Sequence, residues 1–265
     1  MTPPARTSTV MGLAFDAIRE RACVEHVVRE LDAGRGGVIV TANLDHLRRS
    51  VTDFKYRRIA RGAEMLVADG MPIVWASRLR GDALPERVSG ASLMLPLVEA
   101  MGERGRRVFL LGGNPGVAER AGRELEARCG VEIAGTRCPP VGFEGDPEEM
   151  DAMRRQLRDS GADLVLVALG SPKQEYLIDQ IREALPDAWW AGIGISLSFL
   201  IGEVPRAPGW MQRAGLEWVQ RLAAEPRRLT RRYLIDGIPF GVRLIGWSVA
   251  TRLGLIGRRT MRATI

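Results

Sequence analysis

The sequence predicts an α/β chain: a Rossmann-like, mostly parallel sheet of about six strands with flanking helices, followed by a basic helical C-terminal appendage. Three observations carry this expectation. Six short apolar runs alternate with segments of helical period. Several runs are apolar throughout rather than alternating, as strands buried on both faces are. The charge is also unevenly placed. From Leu200 onward twelve arginines face four acids, a net +8, which leaves residues 1–199 at −2 of an overall +6.

The 265 residues fit one large α/β domain with an appendage, and 46% apolar with 26% charged residues is a globular composition. We expect a catalytic domain over 1–200 and a basic, amphipathic, membrane-binding appendage over 201–265. Cys23, Cys129 and Cys138 have no metal-ligand spacing and form no even disulfide set, so a reducing compartment is expected. The start, MTPPARTSTV, has no apolar h-region, and no stretch reaches 18 uncharged apolar residues. No signal peptide or membrane span is expected.

Taken in order, residues 1–12 are Pro- and Thr-rich and read as frayed. Phe15 to Leu31 has helical spacing, ended by Gly34, Gly36 and Gly37. Val38-Ile39-Val40 is the first strand and runs into Thr41-Ala42-Asn43. Asp45 can cap a helix reaching about Arg61. Met65 to Ala68 is the second strand, and a helix from Pro72 to Leu79 follows its Asp69-Gly70 turn. A polar turn over Glu86 to Gly90 leads to a helix that Ser92 opens. Val108 to Leu111, Val131 to Thr136, Leu164 to Leu169 and Trp189 to Ile195 complete the strands. Helices over Val117 to Cys129, Asp146 to Ser160 and from Pro172 separate them. A helical tail begins at Arg206-Ala207-Pro208, and its segment from Leu234 to Ile256 reads as amphipathic or interfacial rather than spanning.

In a parallel sheet all strand C-termini share one edge, and ligands bind there. Four ends carry polar residues: Thr41 and Asn43; Asp69; Gly112, Gly113 and Asn114; and Gly170 to Glu175. Asp69, set between a buried strand and Gly70, would be partly desolvated. That raises a carboxyl toward general-base use, although an Asp here equally caps the helix at Pro72. Gly112 to Gly116 looks like a phosphate loop but lacks the GxGxxG and GxxxxGK[ST] patterns, which argues against a dinucleotide oxidoreductase. His26 and His46 stand in no metal-binding pattern, and no metal is expected.

Several motifs occur in order: Thr41-Ala42-Asn43, Ala68-Asp69-Gly70-Met71-Pro72, Glu86-Arg87-Val88-Ser89-Gly90, Val108 to Gly113, and Leu169-Gly170-Ser171-Pro172-Lys173-Gln174-Glu175. Arg206-Ala207-Pro208 with Gly215-Leu216-Glu217-Trp218, and Glu225 to Leu229 with Arg231-Arg232-Tyr233, close the set. Over roughly residues 10 to 235 the chain resembles the WecG/TagA/CpsF glycosyltransferase family (glycosyltransferase family 26).

The resemblance implies inverting, metal-independent transfer of a sugar from a UDP-sugar to a polyprenyl-diphosphate-linked saccharide, in bacterial surface polysaccharide or teichoic acid linkage synthesis. Asp69 would be the base, with Thr41 near the acceptor or base and Arg87 a binding residue. The loop Gly170, Ser171, Pro172, Lys173, Gln174 and Glu175 would hold the nucleotide-sugar, chiefly through Gln174, and no cofactor is implied. Without a metal, cations and N–H groups must meet the leaving diphosphate, and Arg206, Arg228, Arg231 and Arg232 are candidates. They equally suit an anionic membrane surface. The resemblance places the protein peripherally on the cytoplasmic face of the bacterial inner membrane. One departure stands out: Ser198 lies where the family commonly has an acid. Interleaved Leu, Ile and Trp in the tail fit lipid better than nucleic acid, and assembly into a homo-oligomer is left open. The competing reading is a non-catalytic, nucleotide-binding regulatory α/β protein.

Overall fold

The computed structural model describes residues 7–256 apart from 214, 216 and 225. Two strands come first: β1 (Thr7–Val10) and β2 (Leu13–Asp16) pair antiparallel around Met11 and Gly12, both at positive φ. The frayed reading is therefore corrected for residues 7–12, with 1–6 lying outside the described residues, and the helix from Phe15 is corrected too. Val10, Leu13 and Phe15 are inward positions of a hairpin, each at most 1% exposed. Helix α1 (Glu20–Asp32) begins only afterwards.

β3 (Gly37–Ala42) leads into α2 (Leu44–Thr52) and α3 (Phe54–Arg61). These were expected as one helix capped by Asp45. Instead Asn43 is the cap, its side chain accepting from the Asp45 and His46 N–H groups. Asp53 interrupts the helix in extended conformation and caps α3 by accepting from the Tyr56 N–H. β4 (Met65–Ala68) and α4 (Met71–Arg80) follow. α5 (Gly90–Gly102) is capped by Ser89, and Ser92 is the third residue of that capping box rather than the helix start.

The chain continues through β5 (Arg107–Gly112), α6 (Val117–Cys129), β6 (Glu132–Arg137), α7 (Pro147–Ser160), β7 (Leu164–Ala168) and α8 (Lys173–Ile181). Pro172 sits at the cap of α8, one residue before its first turn, after a cis peptide from Ser171. β8 (Trp189–Gly192) stops three residues short of the expected Ile195, because Gly194 turns the chain into α9 (Ser196–Leu200).

The six strands β3 to β8 form one parallel sheet in the order β4-β3-β8-β7-β5-β6. Alternate residues of each strand feed two cores. Val38, Val40, Leu66, Val165, Val167 and Trp190 face a layer that includes Phe15, Leu47, Ile73, Met153 and Leu177. Ile39, Val67, Leu110, Leu166 and Trp189 face the opposite layer with Val27, Leu97, Ala121 and Leu197. Burial on both faces explains the unbroken apolar runs.

The tail is helical: α10 (Gly209–Arg213), α11 (Glu217–Ala224), α12 (Pro226–Thr230), a π-helical turn (Arg231–Gly237) and α13 (Ile238–Arg252). α13 packs along α4, and its Phe240, Leu244 and Trp247 join the first core. Its other side exposes Ile238, Val242 and Val249, beside exposed Trp75 and Leu79 of α4. Asp45 of α2 pairs with Arg48 of its own helix at 2.9 Å and ties the tail to it through Arg232 at 3.4 Å. Among the described residues no helix is long and apolar enough to cross a membrane.

Candidate active site

Backbone hydrogen bonds bring distant loops together over the C-terminal edge of the sheet. The Asp69 N–H donates to the Ala42 carbonyl at 2.9 Å, fixing the turn after β4 beside the end of β3. The Val88 N–H donates to the Ala68 carbonyl at 2.9 Å, which carries Arg87 over the same corner. Gly90 then lies tightly against β8. A Cβ there would stand 2.9 Å from the Gly192 carbonyl oxygen and 3.3 Å from Thr41 Oγ1, so only glycine allows α5 to start so close. On the other side the Gly113 N–H donates to the Ala168 carbonyl at 2.8 Å.

These loops surround a cavity of about 1180 Å³. Its lining includes Thr41, Asn43, Asp69, Arg87, Gly113, Asn114, Gly170, Ser171, Gln174 and Arg232 of the expected set. Gly112, Pro172, Lys173, Glu175, Arg206 and Arg231 do not line it. Gly112 sits beneath the loop at φ +99°, against Ala168. Lys173 turns away and pairs with Glu144 at 2.6 Å. Arg231 is exposed on the tail. Arg228 belongs to α12, but its side chain lies outside the described ones.

Asp69 does not cap α4. The cap residue is Gly70, which makes no side-chain bond. The carboxyl instead opens into the cavity, and burial pushes it from an ordinary 3.8 up to about 6. Glu217 adds to the rise, whereas Arg87, His46 and Arg221 oppose it. Glu217 comes from α11 and meets Arg87 at 3.3 Å. Both side chains are well covered, at 15% and 17% exposed, so the tail helix closes directly over the base corner.

A second polar cluster lies deeper. Gln174 and Glu175, in the first turn of α8, are both about 95% buried. Glu175 Oε1 accepts from Gln174 Nε2 at 2.8 Å and lies 3.3 Å from His46 Nε2. Burial opposes charge on Glu175, but the His46 contacts and the Gln174 bond outweigh it and hold the carboxyl below its ordinary range. Glu175 is thus a partner of His46.

His46, Trp75, Glu217, Trp218, Arg221 and Tyr233 line the cavity and are absent from the expected site set. Glu217, Trp218 and Tyr233 stood in the ordered motifs without an assigned role, and His46 lies three residues after the capping Asn43. Ser198, at the position of the missing acid, lines the cavity and donates to Glu203 at 2.7 Å. Among the described residues no group of three or more His, Cys, Asp or Glu side chains could hold a metal ion.

The arrangement can accept a proton at Asp69 and receive an anion at glycine-rich turns near arginines. Compared with known families, the chain matches the one described as the Glycosyl transferase WecG/TagA/CpsF family over residues 8–253.

Proposed function

The chain belongs to the WecG/TagA/CpsF glycosyltransferase family, and from that premise we propose that it moves a sugar from a UDP-sugar to a polyprenyl-diphosphate-linked saccharide with inversion. The transfer is of a hexosyl or N-acetylmannosaminyl type and serves cell-envelope polysaccharide or teichoic acid linkage synthesis. It runs at the cytoplasmic face of the bacterial inner membrane and uses no bound metal or cofactor.

The observation that carries this reading is Asp69 in a cavity shared by five strand-end loops, lifted by burial to about 6. At neutral pH it is charged yet basic enough to take a proton. In this reaction Asp69 accepts the proton of the acceptor hydroxyl, with Thr41 beside it. The acceptor oxygen bonds to the anomeric carbon while the bond from that carbon to the UDP oxygen breaks, and UDP leaves with the electron pair. Gln174 and the turns at Gly113 and Gly170 hold the nucleotide, while Arg87 and Arg232 face its growing charge. Arg206, Arg228 and Arg231 add positive potential from the tail.

The segment 201–265 is the membrane-docking part in this reading. Exposed Trp210, Leu234, Ile235, Val242 and Leu253 stand among its arginines. Apolar side chains with interleaved cations suit an anionic lipid surface, where each cation contributes about 1 kcal/mol.

The test uses a panel of UDP-sugars with a polyprenyl-diphosphate saccharide in anionic vesicles. We expect UDP release, an acceptor longer by one sugar, and co-sedimentation that weakens as salt rises. UDP binding without release from any donor would reject transfer and favour the regulatory reading. Equal sedimentation with neutral vesicles would reject the electrostatic docking.

A further inference from the structure

We propose that His46 is a positioning residue for the transfer reaction, clamped between two loops so that Asn43 and Gln174 present fixed faces to the cavity. The proposal rests on the reading of that cavity as the transfer site.

The clamp follows from which atoms are already engaged. Asn43 Oδ1 accepts from the Asp45 N–H at 3.0 Å and the His46 N–H at 3.3 Å, which identifies that atom as the oxygen. His46 Nδ1 stands 2.8 Å from the same oxygen and must therefore donate to it. His46 Nε2 faces Glu175 Oε1 at 3.3 Å, and that carboxylate is held in its charged form. The ring thus meets an oxygen at each nitrogen and joins the first turn of α2 to the first turn of α8, with a side chain only 5% exposed.

The chain of contacts continues to the third loop. Gln174 Nε2 donates to Glu175 Oε1 at 2.8 Å, and Gln174 Oε1 accepts from the Gly194 N–H at 3.1 Å. The amide lies over Gly192, where an added Cβ would come within 2.4 Å of Nε2. Gln174 therefore has one orientation, with one N–H left over. Asn43 has its oxygen saturated and its NH₂ group left over. Both cavity-lining amides are donors toward a bound ligand, and His46 touches Asn43 directly and reaches Gln174 through Glu175.

The charged and titratable groups around the ring are Glu175 from α8, Asp45 from its own helix, Asp69 after β4 and the Tyr56 ring of α3 at 5.9 Å.

The protein has two histidines, so the ring can be observed directly. Nitrogen-15 NMR of the full chain, with the His26→Gln variant for assignment, should show a proton on His46 Nδ1, the nitrogen that faces the Asn43 oxygen. A ring with a bare Nδ1 would overturn the clamp. UDP titration then reads the positioning role. His46→Gln should weaken UDP binding about tenfold in the otherwise native protein, and hardly at all when Gln174→Ala is already present. Equal loss in both backgrounds would overturn positioning through Gln174, because a merely structural role is additive. A ring with its Nδ1 proton on Asn43 in a protein that binds no UDP would overturn the nucleotide reading of the cavity instead.

Discussion

Replacing Asp69 by Asn removes a negative charge and keeps the shape of the side chain. The structure places this carboxyl where burial lifts it from 3.8 to about 6. A raised carboxyl is more easily protonated in the folded protein than in the unfolded chain. Below pH 3.8 both states hold the proton and Asp69 has no net effect on stability. Between pH 3.8 and about 6 the unfolded chain ionises first, and the folded state loses stability. Above pH 6 the whole penalty is present.

The gap corresponds to about 3 kcal/mol as an upper value. The carboxyl opens partly into the cavity, where water screens it, so about 1–2 kcal/mol is the working figure. Asp69→Asn should therefore be more stable than the native protein by about 1–2 kcal/mol at pH 8 and no more stable at pH 3.5. Urea denaturation at the two pH values measures this. The same variant should lose about 10²- to 10⁴-fold in turnover, the usual worth of a general base. UDP affinity should change little. A variant that is less stable at pH 8, or that turns over normally, would refute the account of Asp69 as a strained base.

Two further outcomes follow from the tail. Glu217→Gln removes a neighbour that raises Asp69, so the acidic limb of kcat/KM against pH should move to lower pH. An unmoved limb would show that α11 does not reach the base electrically. Leu244→Ala deletes a side chain with 0% exposure in the first core and should cost about 2–5 kcal/mol of unfolding free energy. A denaturant midpoint unchanged from the native protein would show that α13 is not part of that core.

The fold was largely legible because its signals are local. A strand such as Leu164–Ala168 advertises burial on both faces by reading apolar throughout, and Gly170 marks its end. Misreadings fell where two local signals competed. Phe15 fits the helical spacing of the residues after it, yet it pairs in a hairpin whose turn is Met11-Gly12. Asp45 and Ser92 are good cap residues, but Asn43 and Ser89, slightly upstream, take those places. The apolar tail was read as interfacial because an amphipathic helix has the same pattern whether protein or lipid covers it. The packing of Phe240, Leu244 and Trp247 on the α4 side shows protein covering one face of α13.

The sequence by itself determined the six strands, the helices between them and the polar ends that gather on one edge. Hydrophobic period and turn chemistry act within a few residues, so these features are written where they occur. Tertiary structure alone decided which polar ends meet. His46 reaches Glu175 across 129 positions, and Arg87 reaches Glu217 across 130. Those pairings depend on the strand order β4-β3-β8-β7 and on α11 folding back over the edge, which no local pattern specifies. Burial, finally, is a property of the assembled layers. It turns Asp69 from a plausible helix cap into a carboxyl poised near neutral pH.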